Sequence, residues 1–147
     1  MTVDSPETSA ETNALHTFLP PHPDRLVGLR ERVVRHLQDE RVAESDIIVL
    51  CVEEACTNAI VHSRTTKDIK VLLQLRGERL LVTVRDEGRG VVIEELEPIT
   101  MPDPLSCGSR GLPLIAGLMD ELKLVCNPGL EVTMPKQVRR VQGASTP

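Results

Sequence analysis

Apolar positions along the chain fall into blocks whose spacing changes from block to block. Leu15 to Leu19 reads as a short strand, stopped by Pro20, Pro21 and Pro23. From Asp24 to about Glu40 the apolar residues Leu26, Leu29, Val33 and Leu37 recur at three- and four-residue spacing. That is one face of a helix, with Asp24 as its cap. A second helix is predicted from Ser45 or Asp46 to about His62, strongly apolar through Ile47, Ile48, Leu50, Val52, Ala55, Ala59 and Ile60. Residues 69–75 and 80–85 read as two strands joined by a turn at Arg76-Gly77-Glu78-Arg79.

The pattern then breaks. Residues 91–110 hold Pro98, Pro102, Pro104 and Gly108, which predicts a mostly irregular loop after a short helical turn at 92–96. A third helix is expected from near Gly111 to near Leu122, with Pro113 in its first turn, where a missing N–H is harmless. Residues 122–126 and 130–134 read as closing strands around Asn127-Pro128-Gly129. The order β-α-α-β-β-loop-α-β-β predicts an α+β fold. It is a two-layer sandwich of helices on one face of a mixed, mostly antiparallel sheet. Residues 1–13, with Asp4, Glu7 and Glu11 and no base, are expected to be a disordered tail. Residues 14–136 form the single domain, and 137–147 a flexible C-terminal tail.

Composition narrows the function. Hydrophobic residues are 40% of 147 and charged residues 27%, yet Phe18 is the only aromatic. Modules that stack single-stranded bases need aromatic side chains, and a net charge of −5 opposes a phosphate backbone. Direct nucleic-acid binding is therefore not expected. No apolar run approaches the roughly 20 residues that span a bilayer, and the polar N-terminus has no signal segment, so a cytoplasmic protein without membrane contact is expected. Cys51, Cys56, Cys107 and Cys126 lack metal-ligand or disulfide spacing and read as small core residues, Cys107 least so because of its loop.

Three segments carry candidate chemistry. In the second helix, Glu54 and Asn58 are four apart and share a face. Both offer oxygen to a hard cation, and the carboxylate suits a general base. On the helix alone, a solvated polar stripe explains the pair better. Strand 80–85 runs into Asp86-Glu87-Gly88-Arg89-Gly90, where the glycines admit close backbone approach and Asp86 can accept a bond from an exocyclic amine. A strand-to-loop turn explains it equally well. It is not a dinucleotide fingerprint, because Ile93 stands at the third Gly position. Gly108-Ser109-Arg110-Gly111-Leu112 opens the third helix, where free N–H groups make a ready anion site, or simply a helix start after a glycine-bearing loop.

Taken in order, the three resemble the N, G1 and G2 boxes of the GHKL (Bergerat-fold) ATPases, and most closely the anti-sigma factor serine/threonine kinases. The carrying residues are Glu54-Ala55-Cys56-Thr57-Asn58-Ala59-Ile60-Val61-His62, Val84-Arg85-Asp86-Glu87-Gly88-Arg89-Gly90, and Gly111-Leu112-Pro113-Leu114 through Met119-Asp120-Glu121. The resemblance spans roughly residues 15–136 and implies roles for single residues. Asn58 would be the magnesium ligand and Glu54 the base that activates a serine or threonine hydroxyl. Asp86 would read adenine, with Gly88 and Gly90 shaping its pocket. Residues 91–110 would form a lid, and Gly108, Ser109, Arg110, Gly111 and Leu112 would hold the ATP phosphates.

It also implies partners: a sigma factor, an anti-anti-sigma protein of the STAS type, and a second copy of the chain, since the family often dimerises through its sheet and first helix. Three departures bear on nucleotide affinity and turnover, an unusual Pro113 among them. Ser109 stands at a usual glycine of the G2 box, and Leu130 follows Gly129 where the family often has threonine. An ATP-binding module that sequesters a partner without kinase activity is the alternative, and a detached histidine-kinase catalytic domain is a third reading. His62 reads as a helix-end residue, and His16, His22 and His36 as surface residues.

Overall fold

The computed structural model describes residues 12–62, 66–87, 115, 117–126 and 129–141. Strand β1 is Thr12–Leu19, helix α1 Leu26–Asp39, helix α2 Ser45–His62, and strands β2 to β5 are Ile69–Arg76, Arg79–Arg85, Lys123–Cys126 and Leu130–Gln137. The strands form one sheet in the order β1-β2-β3-β5-β4. Every described pairing is antiparallel, so the fold is α+β, as the element order predicts.

β1 begins earlier than its apolar signal. Thr12 and Asn13 pair with Arg76 and Leu75, continuing the ladder that starts at Leu19 and Ile69. The polar pair carries no hydrophobic signature and is held by backbone bonds to β2. Asp24 does not cap α1. It lies in a 3-10 turn, Pro23–Arg25, and α1 is entered from Arg25 with no side-chain cap. The proline-rich entry tightens the chain before the helix starts. The 76–79 turn is as expected: Arg76 pairs with Arg79, and Gly77 takes φ +61°, a conformation open to glycine.

β5 runs three residues past its predicted end, through Pro135, Lys136 and Gln137. A proline fits because β4 covers β5 only at 130–133, leaving 135 on an unpaired edge. The Pro135 carbonyl accepts the Asp120 N–H at 3.2 Å. Of the third helix, Ile115, Gly117 and Leu118 are helical, and the Met119 N–H donates to the Ile115 carbonyl at 2.8 Å. The helical residues end at Leu118, four before the predicted Leu122. Its start, and the 91–110 loop, lie outside the described residues.

Alternation along β2 and β3 sends Ile69, Val71, Leu73, Leu75, Leu80, Val82 and Val84 to one face, all buried. α1 contributes Leu29, Val33 and Leu37, and α2 contributes Ile48, Cys51, Val52, Ala55 and Cys56. Burying each leucine side chain stabilises the fold by roughly 1.5–3 kcal/mol. No described helix is long and apolar enough to cross a membrane.

Candidate functional site

α2 is apolar on most sides; it packs beside α1 and, on the sheet, against β3 and β2. Polar side chains on such a helix need partners. Glu53 has one: its carboxylate lies 3.7 Å from the Arg30 guanidinium of α1. Glu54, the next residue, is half-buried. One turn on, Asn58 is only 8% exposed, and its Nδ2 has no hydrogen-bond partner. The solvated-stripe reading of this pair is thereby overturned for Asn58, which is enclosed, not washed by water. A buried donor left unpaired costs stability, on the order of 1–3 kcal/mol. Such groups persist where a ligand completes them.

Asp86 sits where β3 ends. Its N–H donates to the Leu130 carbonyl at 3.1 Å, and its Oδ1 accepts the Leu130 N–H at 3.3 Å. These bonds carry the β3–β5 ladder one step beyond Arg85 and fix the carboxylate against the start of β5. The side chain is 4% exposed. Burial raises its pKa above the ordinary aspartate value; the Leu130 N–H and Arg85 pull it down, and Glu87 pushes it up. One carboxylate oxygen is held by the backbone, and the other is left to accept a donor.

Gly129 makes this contact possible. A Cβ there would run into the Asp86 carbonyl oxygen and sit 2.7 Å from the carbonyl carbons of Asp86 and Glu87. Its φ is not left-handed, so the requirement is space. The part played by Gly129 and the Leu130 backbone is not evident from their residue types. The one signal is a glycine closing the Asn127-Pro128-Gly129 turn immediately before β5. Leu130 lacks the family's hydroxyl, yet its N–H reaches the carboxylate directly.

The remaining predicted residues divide simply. Gly88, Gly90, Gly108, Ser109, Arg110, Gly111 and Leu112 lie outside the described residues. Asp120 is occupied with structure, its Oδ2 accepting the Gln137 N–H at 2.7 Å. Cys51 and Cys56 are buried free thiols, as expected of core residues. Burial pushes the Cys51 pKa to about 11, opposed by Lys136 and helped by Glu54. Burial raises Cys56 further, and Glu53 adds to it. His16 and His22 are exposed, but His36 is half-buried and its Nε2 has no partner, contrary to a surface placement.

Among the described residues no three His, Cys, Asp or Glu side chains gather into a metal cage. The donors present are an amide and a carboxylate one helical turn apart. They suit a hard cation that takes most of its oxygens from elsewhere, as magnesium does when it shares a phosphate. The unpaired Asn58 Nδ2 is a donor suited to a phosphate oxygen, the amide oxygen beside it can ligate a cation, and Asp86 offers an acceptor to a base amine, a set that fits a magnesium nucleotide.

A family model described as the histidine kinase-like ATPase domain matches residues 19–136. The chain belongs to that family. Glu54, Asn58 and Asp86 all fall inside the matched stretch. Among curated relatives, the serine-protein kinase RsbW of Bacillus pumilus is 34% identical over 109 residues, covering 66% of this chain and 67% of that one. RsbW of Bacillus velezensis is 34% identical over 97 residues, covering 59% and 61%. RsbW of Bacillus subtilis is 31% identical over 103 residues, covering 63% and 64%. The chain thus spans about two thirds of the length of these relatives. A crystal structure of the RsbU and RsbW domains of Rv1364c from Mycobacterium tuberculosis superposes with a TM-score of 0.65 at 20% identity, over 88% of this chain and 35% of that one. At that identity the likeness is one of fold.

Proposed function

We propose that this histidine kinase-like ATPase domain is an ATP-dependent protein serine/threonine kinase. It acts in the cytoplasm as an anti-sigma factor, binding a sigma factor and phosphorylating a STAS-type anti-anti-sigma protein. The observation that carries the reading is the buried Asn58 amide with an unpaired end, one turn beyond Glu54. The relatives named serine-protein kinase RsbW support it.

Asn58 would hold magnesium through its amide oxygen and donate its unpaired Nδ2 to a phosphate oxygen of the nucleotide. Asp86 accepts a hydrogen bond from the adenine amine with the oxygen that Leu130 leaves unused. Bound magnesium-ATP supplies the transferable phosphoryl group and a cation that neutralises its charge. Glu54 would take the proton from the substrate hydroxyl as its oxygen attacks the γ-phosphorus and the bond from that phosphorus to the bridging oxygen breaks, releasing ADP. Glu53, tied to Arg30, takes no part. Self-association through the sheet and α1 follows from the resemblance.

The test mixes the protein with γ-labelled ATP, magnesium and a STAS-type anti-anti-sigma protein. Acid-stable label on the partner, lost in Glu54→Ala while nucleotide still binds, supports the reading. Nucleotide binding without transfer favours a sequestering module, acid-labile label favours a histidine kinase, and no nucleotide binding refutes the assigned site.

A further inference from the structure

The third helix ends on β5, held there at three points. The Lys136 ammonium donates to the Leu118 carbonyl at 3.2 Å, and the Asp120 N–H donates to the Pro135 carbonyl at 3.2 Å. The Asp120 Oδ2 accepts the Gln137 N–H at 2.7 Å. Each bond answers a group that the regular elements leave open. The last carbonyls of a helix have no intrahelical donor, and a cation beside them also complements the helix dipole. β3 pairs one edge of β5 as far as Gln137, but β4 pairs the other only from Leu130 to Thr133. Beyond Thr133 that second edge is taken by Asp120. Its N–H and its carboxylate stand in for the next residue of a strand.

β5 also carries the other end of the site. Its first residue, Leu130, seats Asp86 through two backbone bonds. At about 3.3 Å per residue, Leu130 and Lys136 lie roughly 20 Å apart. The strand between them is fixed, with Val132 and Met134 buried and β3 paired along it. The helix is anchored too, through the buried Ile115 and Met119. β5 is thus a ruler, with Asp86 seated at one end and the third helix at the other. Lys136 lies close enough to the Cys51 thiol of α2 to lower its pKa, which Glu54 raises. The ammonium therefore sits on the α2 side of the sheet, in the layer that holds Glu54.

We propose that Lys136 and Asp120 are positioning residues that set the phosphate end of a bound adenine nucleotide, an inference that rests on the reading of the site as one for magnesium-ATP. The helix they hold is the one whose opening residues the family resemblance gives to the ATP phosphates, while Asp86 reads the base. A nucleotide with a polyphosphate chain must satisfy both ends at once, and the strand fixes the span between them. Both residues act through the helix. Releasing its end lets it shift, which spoils the phosphate contacts; a misplacement of about 1 Å can cost on the order of a hundredfold where geometry is tight. Asp86, seated at the far end of β5, stays where it is.

The test titrates the full chain and its variants with magnesium-ATP by calorimetry, and with AMP through the Asp86 and Leu130 amide shifts in NMR. Lys136→Met and Asp120→Ala should each weaken ATP about tenfold or more and change AMP by less than about twofold. Lys136→Arg, which still donates, and Asp120→Asn, which still accepts, should restore most of the ATP affinity. Lys123→Met, which removes the neighbouring ion pair with Glu121, should leave both nucleotides unaffected. Asp120→Ala also separates positioning from direct contact, since losing a negative charge would by itself favour an anion. Hydrogen exchange at the Gln137 amide reports the hold directly and should quicken in Asp120→Ala. If Lys136→Met fails a circular-dichroism melt, the exposed Asp120→Ala carries the test. ATP affinity unchanged in these variants, or ATP and AMP weakened alike, overturns the proposal while leaving the nucleotide reading intact. A wild-type chain whose Asp86 amide moves with neither nucleotide overturns that reading, and the proposal with it.

Discussion

Replacing Gly129 with alanine perturbs the site without touching a side chain. The new Cβ would lie 2.7 Å from the Asp86 and Glu87 carbonyl carbons, where ordinary contact begins at 3.4 Å, so the strands must part by at least about 0.7 Å. Neither Leu130 bond survives that retreat. The N–H to Oδ1 contact would stretch from 3.3 Å to about 4.0 Å, and the Asp86 N–H to carbonyl bond from 3.1 Å to about 3.8 Å. One of these is a bond to a charged group, worth about 1.5–3 kcal/mol, and the other an ordinary one worth about 0.5–1.5 kcal/mol. Partial relaxation leaves an expected loss of about 2–4 kcal/mol in stability. With its carboxylate unmoored, Asp86 would also lose adenine affinity, by about tenfold or more. Urea denaturation and ATP titration measure the two effects. Gly28 is the control, an exposed α1 glycine where an added Cβ would meet nothing within 4 Å. Gly129→Ala matching wild type in both assays would refute the claim that this glycine seats Asp86.

Gly28→Ala itself should stabilise the fold by about 0.5–1 kcal/mol, since alanine is the better helix former, which a thermal melt would register. Asn58→Leu should raise the melting temperature of the nucleotide-free protein, because it removes a buried, unpaired amide, while abolishing magnesium-dependent nucleotide binding. Asp86 has a folded pKa above its ordinary 3.8, so the native state binds its proton more tightly than the unfolded chain does. Its contribution to stability therefore falls as pH rises from 3.8 through the raised value, and the penalty is complete above it. Asp86→Asn should melt higher than wild type at pH 7, with a gap that closes on acidification; a wild type that is the more stable at pH 7 would contradict this. With the Cys51 pKa near 11, about one thiol in a thousand is ionised at pH 8. In a Cys107→Ser/Cys126→Ser background, Cys51 and Cys56 should resist Ellman's reagent until denaturant is added.

Much of the fold was legible because its elements are strongly periodic. The α1 face at Leu26, Leu29, Val33 and Leu37, and the alternating β2 and β3, announce themselves by burial on one side. The misplaced ends share a physical cause. Thr12, Asn13 and Lys136-Gln137 are held in strands by backbone pairing, which leaves no hydrophobic trace. Asp24 looks like a cap, but Pro23 draws it into a 3-10 turn. In the site, Glu54, Asn58 and Asp86 could be singled out because polar residues interrupt apolar elements. Whether Asn58 was wet or buried could not be read from the helix, since almost every side of α2 is apolar. The service of Leu130 to Asp86 was hidden because it runs through the backbone, which any residue supplies.

In the proposed function, Asn58 is the group on which the coupling of nucleotide to metal rests. Calorimetric titration of ATP, with and without magnesium, into the wild-type chain and Asn58→Ala tests that role most directly. Magnesium should tighten ATP binding to wild type by about tenfold or more and make no difference to Asn58→Ala. Equal magnesium dependence in both proteins, or no ATP binding to either, would contradict it.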